Sequence, residues 1–408
     1  MSAAASRASS PLPRRAPWAV LLSAALLAPA APHAQTALHE RDPYIEHLPP
    51  PPAAPQVWQR IELGSAGKRY PFPVYASRRL DTPQDLAGIR RVVVVVHDER
   101  RDADAAYRAV TQLFGANRAR AQDTLVVAPK FPGPVDAGLG AMPAWRRTDW
   151  MDGLPSMAAA GRPAAVGAYH VLDDLLRALA APGRLPALRT IVLAGHGGGA
   201  QMAQRYAVLN NLDESLRADG IGLSYVLANA DSYLYLSPER PRAGGRGFER
   251  YERGICPTYD QFRYGMDSLP AALKSYVGKL DRTRLAARYG ARRVVYLLGE
   301  SDNNPEHQGL DKDCGAEAQG ATRLTRGTDY WRYETRLATR APASTPAHPA
   351  FVATGVGHTE DAMYGSVCGA QALLGAQAQP DSAAAPCRPL ARAGNGAGAR
   401  RSAIPQSR

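Results

Sequence analysis

The chain has 408 residues, 45% of them hydrophobic, which is enough to bury a sizeable core. Because α/β folds often exceed 250 residues as one unit, we expect a single folded domain. The formal net charge is +12, carried mainly by arginine. Nucleic-acid binding would require basic residues clustered with aromatic residues or on one helix face, and the folded region contains no such cluster in its sequence, so no nucleic-acid partner is predicted.

The N-terminal segment has the order of a secretory signal peptide. Arginines precede an apolar run at 18–31, and small residues occupy Ala28, Ala30 and Ala34. Charged, apolar and small residues in that order are typical of a cleaved signal. The run is shorter than the roughly 20 residues that span a bilayer. We therefore predict a signal peptide at 1–34 and an exported protein, periplasmic or secreted, with no transmembrane segment after cleavage.

Two segments of biased composition flank the predicted folded domain, residues 59–387. A linker at 35–58 is rich in proline, which disfavours regular packing. A tail at 388–408 contains five arginines and no acidic residue, and is predicted to be disordered.

Between these flanks, apolar strands alternate with helical stretches. The unbroken β-branched run at 92–96 indicates a strand buried on both faces of a parallel sheet. The apolar periodicity predicts further strands at 124–128, 191–194, 223–228, 294–298 and 351–356, and helices at 103–114, 164–181, 198–209 and 363–374. This alternation predicts an α/β fold with a mostly parallel sheet covered by helices on both faces. Residues 231–286, rich in Tyr, Arg and Pro, are interpreted as an excursion over the sheet edge where ligands bind in such folds.

Three short segments follow the ends of predicted strands. They read GHGGG at 195–199, GESDNNP at 299–305 and GVGH at 355–358. In order and context they resemble the α/β-hydrolase family, whose elbow reads G-x-S-x-G between strand and helix, with Asp and then His following. The stretches HDERRDADAAY, VVAPKF, SYLYL and LLGESD further resemble exported, esterase-like hydrolases of this superfamily. The resemblance covers roughly residues 60–378 and implies the α/β-hydrolase fold and an ester or acid ligand.

Gly197 stands where the family has its nucleophilic serine. The resemblance implies that His358 is the general base and Asp302 the acid that orients it. Acyl transfer in this fold requires an oxygen nucleophile at the tip of the elbow, and glycine offers none. The sequence therefore predicts a hydrolase-like domain without normal serine-hydrolase turnover.

The oxyanion hole also departs from the family pattern. Relatives have His-Gly after the strand that corresponds to 92–96, whereas this chain reads His97-Asp98-Glu99. The backbone N–H groups of Glu99 and Gly198 are the expected donors. Asp98 lacks the conformational freedom of glycine, and two adjacent carboxylates oppose the development of negative charge unless they point to solvent.

Other residues are alternatives for these roles. Asp231, after the strand at 223–228, is an alternative position for the acid, and His196 is interpreted as a packed residue of the elbow. Ser232, Ser301 and Ser366 lie near strand ends, but none is placed on a strand-to-helix elbow beside oxyanion donors.

Four cysteines lack the C-x-x-C spacing of metal ligands, and an even number in an exported chain predicts disulfides. Three pairings are possible, and we favour Cys256 with Cys314 and Cys368 with Cys387. No H-x-x-x-H motif, carboxylate cluster or phosphate-binding loop is present, so neither a metal nor a cofactor is predicted.

Three functions remain open from the sequence. The domain could bind an ester, acid or polymer-derived ligand without turning it over. It could hydrolyse esters weakly, through a water activated by His358 or a relocated serine. It could also serve as a scaffold tethered by its basic tail and proline-rich leader.

Overall fold

The computed structural model describes residues 58–242, 244, 247–279, 281–340 and 348–391. The predicted signal peptide, nearly all of the predicted linker and the tail beyond Ala391 lie outside the described residues. Within the described part of the chain, no helix is long and apolar enough to cross a membrane.

The strands follow the predicted alternation. They are β1 (Gln59–Leu63), β2 (Tyr70–Ala76), β3 (Arg91–Val96), β4 (Thr124–Pro129), β5 (Thr190–His196), β6 (Gly222–Ala228), β7 (Glu239–Pro241), β8 (Phe248–Arg250), β9 (Arg293–Gly299), β10 (Ala350–Ala353) and β11 (Cys387–Pro389). One sheet has the order β1-β2-β4-β3-β5-β6-β9-β10-β11, and β7 and β8 form a separate hairpin. The strands from β4 to β10 in that order are parallel, whereas β1, β2 and β11 are antiparallel to their neighbours.

Helices connect the parallel strands. They are α1 (Pro83–Leu86), α2 (Ala103–Thr111), α3 (Arg118–Asp123), α4 (Ala168–Ala180), α5 (Gly198–Leu209), α6 (Asp213–Ala218), α7 (Ala271–Val277), α8 (Arg282–Gly290), α9 (Cys314–Glu317), α10 (Arg323–Arg340), α11 (Glu360–Gly365) and α12 (Val367–Leu374), with a 3₁₀ turn at Gln112–Phe114. The excursion at 231–286 contains β7, β8, α7 and the start of α8.

The alternating residues of β3 show how the sheet is buried. Val92 and Val94 face one apolar core that includes α4 and α5, and Val93 and Val95 face a second core that includes α2 and α12. Successive side chains of a strand point to opposite faces, so an unbroken valine run requires both faces to be covered. The predicted mostly parallel sheet, covered by helices on both faces, is therefore confirmed.

The predicted helix at 363–374 is two helices. Ser366 separates α11 from α12 and caps α12, because its hydroxyl accepts a hydrogen bond from the N–H of Gly369 at 3.1 Å. A side chain that caps a helix N-terminus in this way starts a new helix and ends the preceding one.

The two disulfides have the pairing that the sequence favoured. Cys256 in the excursion is bonded to Cys314 at the start of α9, and Cys368 in α12 is bonded to Cys387. The Cys368–Cys387 disulfide lies at the start of β11, which pairs with β10. The strand β11 ends at Pro389, two residues beyond the predicted end of the domain.

Candidate active site

Gly197 lies in a tight turn between β5 and α5, as expected for a nucleophile elbow. Its φ of 52° and ψ of −117° are a backbone conformation that other residues adopt only with strain. The flanking glycines allow close backbone packing: a Cβ on Gly195 would lie 2.2 Å from the carbonyl carbon of Gly199, and one on Gly199 would lie 2.2 Å from the carbonyl oxygen of Val96. The backbone of the elbow is therefore present at the position that lacks the serine.

Asp302 and His358 come together at the carboxyl edge of the sheet. Asp302 follows β9, and His358 follows its parallel neighbour β10. The Nδ1 atom of His358 donates to the Oδ2 atom of Asp302 at 2.9 Å. This is the orientation in which a carboxylate holds a catalytic histidine with Nε2 directed toward the elbow.

Asp98 occupies the space that a side chain at Gly197 would fill. A Cβ on Gly197 would lie 2.4 Å from Oδ1 and 2.7 Å from Oδ2 of Asp98. Oδ1 accepts hydrogen bonds from the N–H groups of Gly198 at 2.6 Å and Glu99 at 2.8 Å. These are the two donors expected for the oxyanion hole. Both N–H groups therefore bind an anion, which is the carboxylate of Asp98 in the protein itself.

His358 lies between two carboxylates. Its Nε2 atom is 3.6 Å from Oδ2 of Asp98, opposite the bond to Asp302. Although burial lowers the pKa of His358, the hydrogen bond with Asp302 and the nearby carboxylate of Asp98 raise it to about 9. Against the opposing effect of burial, His358 in turn lowers the pKa of both carboxyl groups below their usual range. The imidazole is thus protonated at neutral pH and has no lone pair with which to accept a proton.

A second histidine, His196, lies beside Asp98 and His358. Its Nδ1 atom is 4.0 Å from Oδ2 of Asp98, and its ring centroid is 4.5 Å from that of His358. Asp98, His196 and His358 each direct one potential ligand atom to a common point, all within 4.8 Å of one another. Two histidines and a carboxylate are a ligand set that zinc and non-haem iron accept.

Asn229 determines whether His196 could be such a ligand. Its Oδ1 atom accepts from the N–H of Gly299 at 2.7 Å, and its Nδ2 atom donates to the carbonyl of Gly357 at 3.1 Å. With the amide oriented in this way, Nδ2 also faces Nε2 of His196 at 3.3 Å as a donor. Nε2 is then the acceptor and Nδ1 carries the hydrogen of the neutral ring. Because a metal would need the lone pair of Nδ1, these contacts favour an ion-paired cluster over a metal site.

Arg323 is a site residue that the sequence did not reveal. It projects from α10, is 1% exposed and contacts Asp231 and, at 3.4 Å, Oδ1 of Asp302. Asp231, the alternative acid, therefore pairs with Arg323, and it is Asp302 that binds His358. Burial raises the pKa of Asp231 to about 6 in spite of the arginine.

The serines considered as substitutes have other partners. The hydroxyl of Ser232 is buried and donates to Oε1 of Gln201 at 2.9 Å, while Arg205 donates to it at 3.1 Å. Ser366 caps α12, and Ser301 is exposed. Among the hydrogen bonds of the described residues, none joins one of these serines to His358.

The excursion lines a cleft whose lining does not include Asp98, Gly197, Asp302 or His358. The cleft has a volume of about 500 Å³ and is lined by Gln261, Arg263 and Tyr264 together with Thr148 and Asp152. The guanidinium of Arg263 is held by Asp311 at 3.3 Å and Asp313 at 3.1 Å.

No protein-family model matches the chain, and no curated protein matches it in sequence. Among solved structures, the poly(3-hydroxybutyrate) depolymerase LpqC from Bordetella parapertussis is similar over 77% of this chain and 89% of its own, with 22% identity and a TM-score of 0.51. Poly(aspartic acid) hydrolase-1 from Sphingomonas sp. KT-1 is similar over 75% and 95%, with 20% identity and a TM-score of 0.49. The likeness to the first of these concerns the fold. Together with the sheet order and the elbow, it establishes that the chain has the α/β-hydrolase fold.

Proposed function

We propose that this chain is an exported hydrolase-fold protein that binds an ester, acid or polymer-derived ligand without serine-hydrolase turnover. The observation that carries the proposal is the position of Asp98. Its carboxylate fills the space beside Gly197 and accepts from both expected oxyanion donors.

Three requirements of acyl transfer are unmet at once. Gly197 has no oxygen with which to attack a carbonyl. The N–H groups of Gly198 and Glu99 are already bonded to Asp98, and the loss of a single donor typically costs about 2.7–4 kcal/mol in barrier height. His358 is protonated at neutral pH and therefore cannot act as the base.

The ligand class rests on the cleft of the excursion and on the structural likeness. LpqC is described as a depolymerase of poly(3-hydroxybutyrate), a polyester. A cleft of about 500 Å³ lies in the range of small-molecule sites. An oligomer of a hydroxy acid is a small ester of this kind and also carries a carboxylate end group.

Weak hydrolysis through a water activated by His358 is the alternative. That route requires the neutral imidazole, which becomes the main form only above about pH 9. Any residual esterase activity of this kind should rise with pH up to that value and disappear in His358→Ala. The third possibility, tethering by the basic tail, concerns a segment of which the structure describes residues 388–391.

The decisive experiment compares p-nitrophenyl ester hydrolysis and fluorophosphonate labelling in four proteins: wild type, Gly197→Ser, Asp98→Gly and the double variant. We expect activity and labelling in the double variant alone, because a serine needs both the space and the donors that Asp98 occupies. Adding His358→Ala to the double variant should abolish turnover.

A matched control keeps the volume of Asp98 but removes its charge. In Gly197→Ser combined with Asp98→Asn, the amide still fills the site, so we expect no activity. Labelling of the wild-type protein, with turnover that His358→Ala abolishes, would refute the proposal. Its binding half is tested by calorimetry of wild-type protein with 3-hydroxybutyrate oligomers, and fails if no heat of binding is detected at millimolar ligand.

A further inference from the structure

Arginines precede three of the parallel strands. The sequence has Arg90 and Arg91 at the start of β3, Arg189 just before β5 and Arg293 at the start of β9. Parallel strands begin at the same edge of a sheet, so these arginines meet at the edge opposite Gly197.

Backbone hydrogen bonds hold the arginines in a row along this edge of the sheet. The N–H of Arg90 donates to the carbonyl of Asp123 at 2.8 Å, that of Arg189 to Arg90 at 2.9 Å and that of Gly222 to Arg189 at 2.9 Å. Neighbouring strands lie about 4.8 Å apart. The backbones of Arg90 and Arg189 are therefore held side by side by the hydrogen bonds of the sheet.

These residues line a cleft of about 660 Å³. Asp123 is the acidic residue among those that line it, and the basic ones are Arg90, Arg91, Arg120, Arg189, Arg217 and Arg293. Two of the six are paired with acids, since Arg217 contacts Asp213 at 2.7 Å and Arg120 contacts Asp123 at 3.6 Å. Among the described residues, the other four have no acidic side chain within 4.0 Å.

Arg91, which is half-buried, and Arg293, which is exposed, both lie against glycines in the wall of the cleft. The guanidinium of Arg91 lies over Gly375, where a Cβ would come within 3.2 Å of it, and that of Arg293 lies over Gly222, where a Cβ would come within 3.0 Å. Burial, together with the positive charge of Arg120, lowers the pKa of Arg91 in spite of the opposing charge of Asp123. A half-buried cation beside a second cation is stabilised by a bound anion.

A second cleft provides an internal contrast. It has a volume of about 1180 Å³, lies beside β1 and also contains arginines. There, however, Arg60 pairs with Glu62 at 2.9 Å and Arg79 with Asp81 at 2.7 Å. Among the described residues, three acidic residues line this second cleft beside five arginines, whereas Asp123 alone lines the cleft at the start of the strands beside six. The ratio of acidic to basic residues, rather than arginine content alone, therefore distinguishes the two clefts.

We propose that the cleft at the start of β3, β5 and β9 binds a small, multivalent phosphate. Guanidinium groups form paired hydrogen bonds with phosphate oxygens, and several unpaired arginines together require more than one negative charge. A volume of about 660 Å³ is that of a small-molecule site. The site is independent of the function proposed for the opposite edge.

The test is calorimetric titration of the full-length protein with inorganic tripolyphosphate, with monophosphate and anionic lipid vesicles as comparisons. We expect tripolyphosphate to bind at least ten times more tightly than monophosphate. Arg91→Gln with Arg293→Gln should weaken binding at least tenfold, and the control Arg60→Gln with Arg79→Gln should leave it unchanged.

A second measurement does not depend on the folding of the variants. Tripolyphosphate should raise the melting temperature of the wild-type protein more than sodium chloride of equal ionic strength. The proposal is overturned if the two salts act alike, if both double variants bind as the wild type does, or if vesicles bind and tripolyphosphate does not.

Discussion

Asp98 makes the contacts that the product acid of an ester hydrolase would make. One oxygen accepts from two backbone N–H groups, and the other faces the protonated ring of His358 at 3.6 Å. A single carboxylate thereby binds both backbone N–H groups and lies beside His358. A carboxylate in this position also raises the affinity of His358 for its proton, which strengthens the ion pair between Asp98 and His358.

Replacing Asp98 with asparagine should lower the pKa of His358. The amide keeps the shape of the side chain but removes one of the two charges that raise this pKa to about 9. Because an opposite charge within about 4–6 Å typically shifts a pKa by 1–3, we expect a fall of about 1–2 pH units. The measurement is NMR titration of the His358 ring.

The remote substitution Asp123→Asn is the control for that titration, because Asp123 lies at the opposite edge of the sheet. It should leave the His358 titration unchanged. An unaltered midpoint in Asp98→Asn would mean that Asp98 does not pair with His358 in solution.

Gly197→Ala should destabilise the protein through two separable effects. The backbone conformation costs on the order of 1–3 kcal/mol for a residue with a side chain, and the new Cβ would lie 2.4 Å from Oδ1 of Asp98. Gly161→Ala is the matched control, since Gly161 has a φ of 78° and a Cβ there would have no neighbouring atom within 4 Å. Urea unfolding should show a greater loss for Gly197→Ala, and Asp98→Gly should remove the difference.

A double-mutant cycle checks this coupling. If the Cβ and the carboxylate compete for one space, the costs of Gly197→Ala in the two backgrounds differ by the clash energy. Equal costs in both backgrounds would contradict the placement of Asp98.

At the scale of residues, the sequence predicted that Gly197, Asp302 and His358 belong to the candidate site. It did not predict the direction of Asp98 or the presence of Arg323, for physical reasons. Strand-end motifs position Gly197, Asp302 and His358, because each follows a buried strand. The inward direction of Asp98 depends on donors from the elbow a hundred residues away, so no local pattern encodes it. Arg323 reaches Asp231 over a comparable distance in the chain.

At the scale of elements, the central strands were predictable because their apolar runs reflect burial on both faces. The strand β2, which lies between β1 and β4, was not, because it contains Pro71 and Pro73, residues that normally argue against a strand. Both prolines pair toward β1, outside the short stretch that pairs with β4.

The sequence analysis did not predict helix α10 because of the composition of this segment. It is rich in arginine and contains Gly327 in its interior, a poor helix former. The glycine has a packing reason, since a Cβ there would lie 2.4 Å from Cδ2 of Leu298 in β9. Close packing of α10 on β9 is what brings Arg323 to the site.

The two disulfides should contribute unequally to stability. Cys368 and Cys387 are separated by 19 residues, and Cys256 and Cys314 by 58. The entropy of loop closure predicts losses of about 3 and about 4 kcal/mol when each pair is replaced by serine. Urea unfolding of the two double variants measures this. A larger loss for the shorter loop would show that packing of β11, rather than chain entropy, dominates.

At the scale of the molecule, the two edges of one sheet carry different electrostatics. At the carboxyl edge, histidines and Arg323 are matched by Asp98, Asp231 and Asp302. At the amino edge, arginines lie together with few acids. The charges of the described residues are therefore not evenly distributed, although in the sequence the basic residues are dispersed. Their grouping was detectable only by noting that Arg precedes β3, β5 and β9 and that parallel strands start together.

The ion cluster at the carboxyl edge makes the stability of the whole fold depend on pH. His358 has a folded-state pKa raised from 6.5 to about 9, so its contribution is fully present below pH 6.5 and is lost as the pH rises through about 9. Asp98 has a lowered pKa, so its contribution is present above about pH 4 and is lost as the pH falls. Their combined contribution to the free energy of unfolding is therefore greatest between about pH 4 and 6.5.

Asp98→Asn should accordingly reduce the free energy of unfolding by about 1–2 kcal/mol at pH 5.5 and by clearly less at pH 10, where His358 is neutral in both proteins. Urea unfolding at the two pH values measures the difference. Asp81→Asn removes an exposed partner of Arg79, which stays charged throughout this range, and should show no such pH dependence. A cost of Asp98→Asn that is the same at both pH values would mean that Asp98 acts through its backbone donors alone, and that His358 is not held protonated by it.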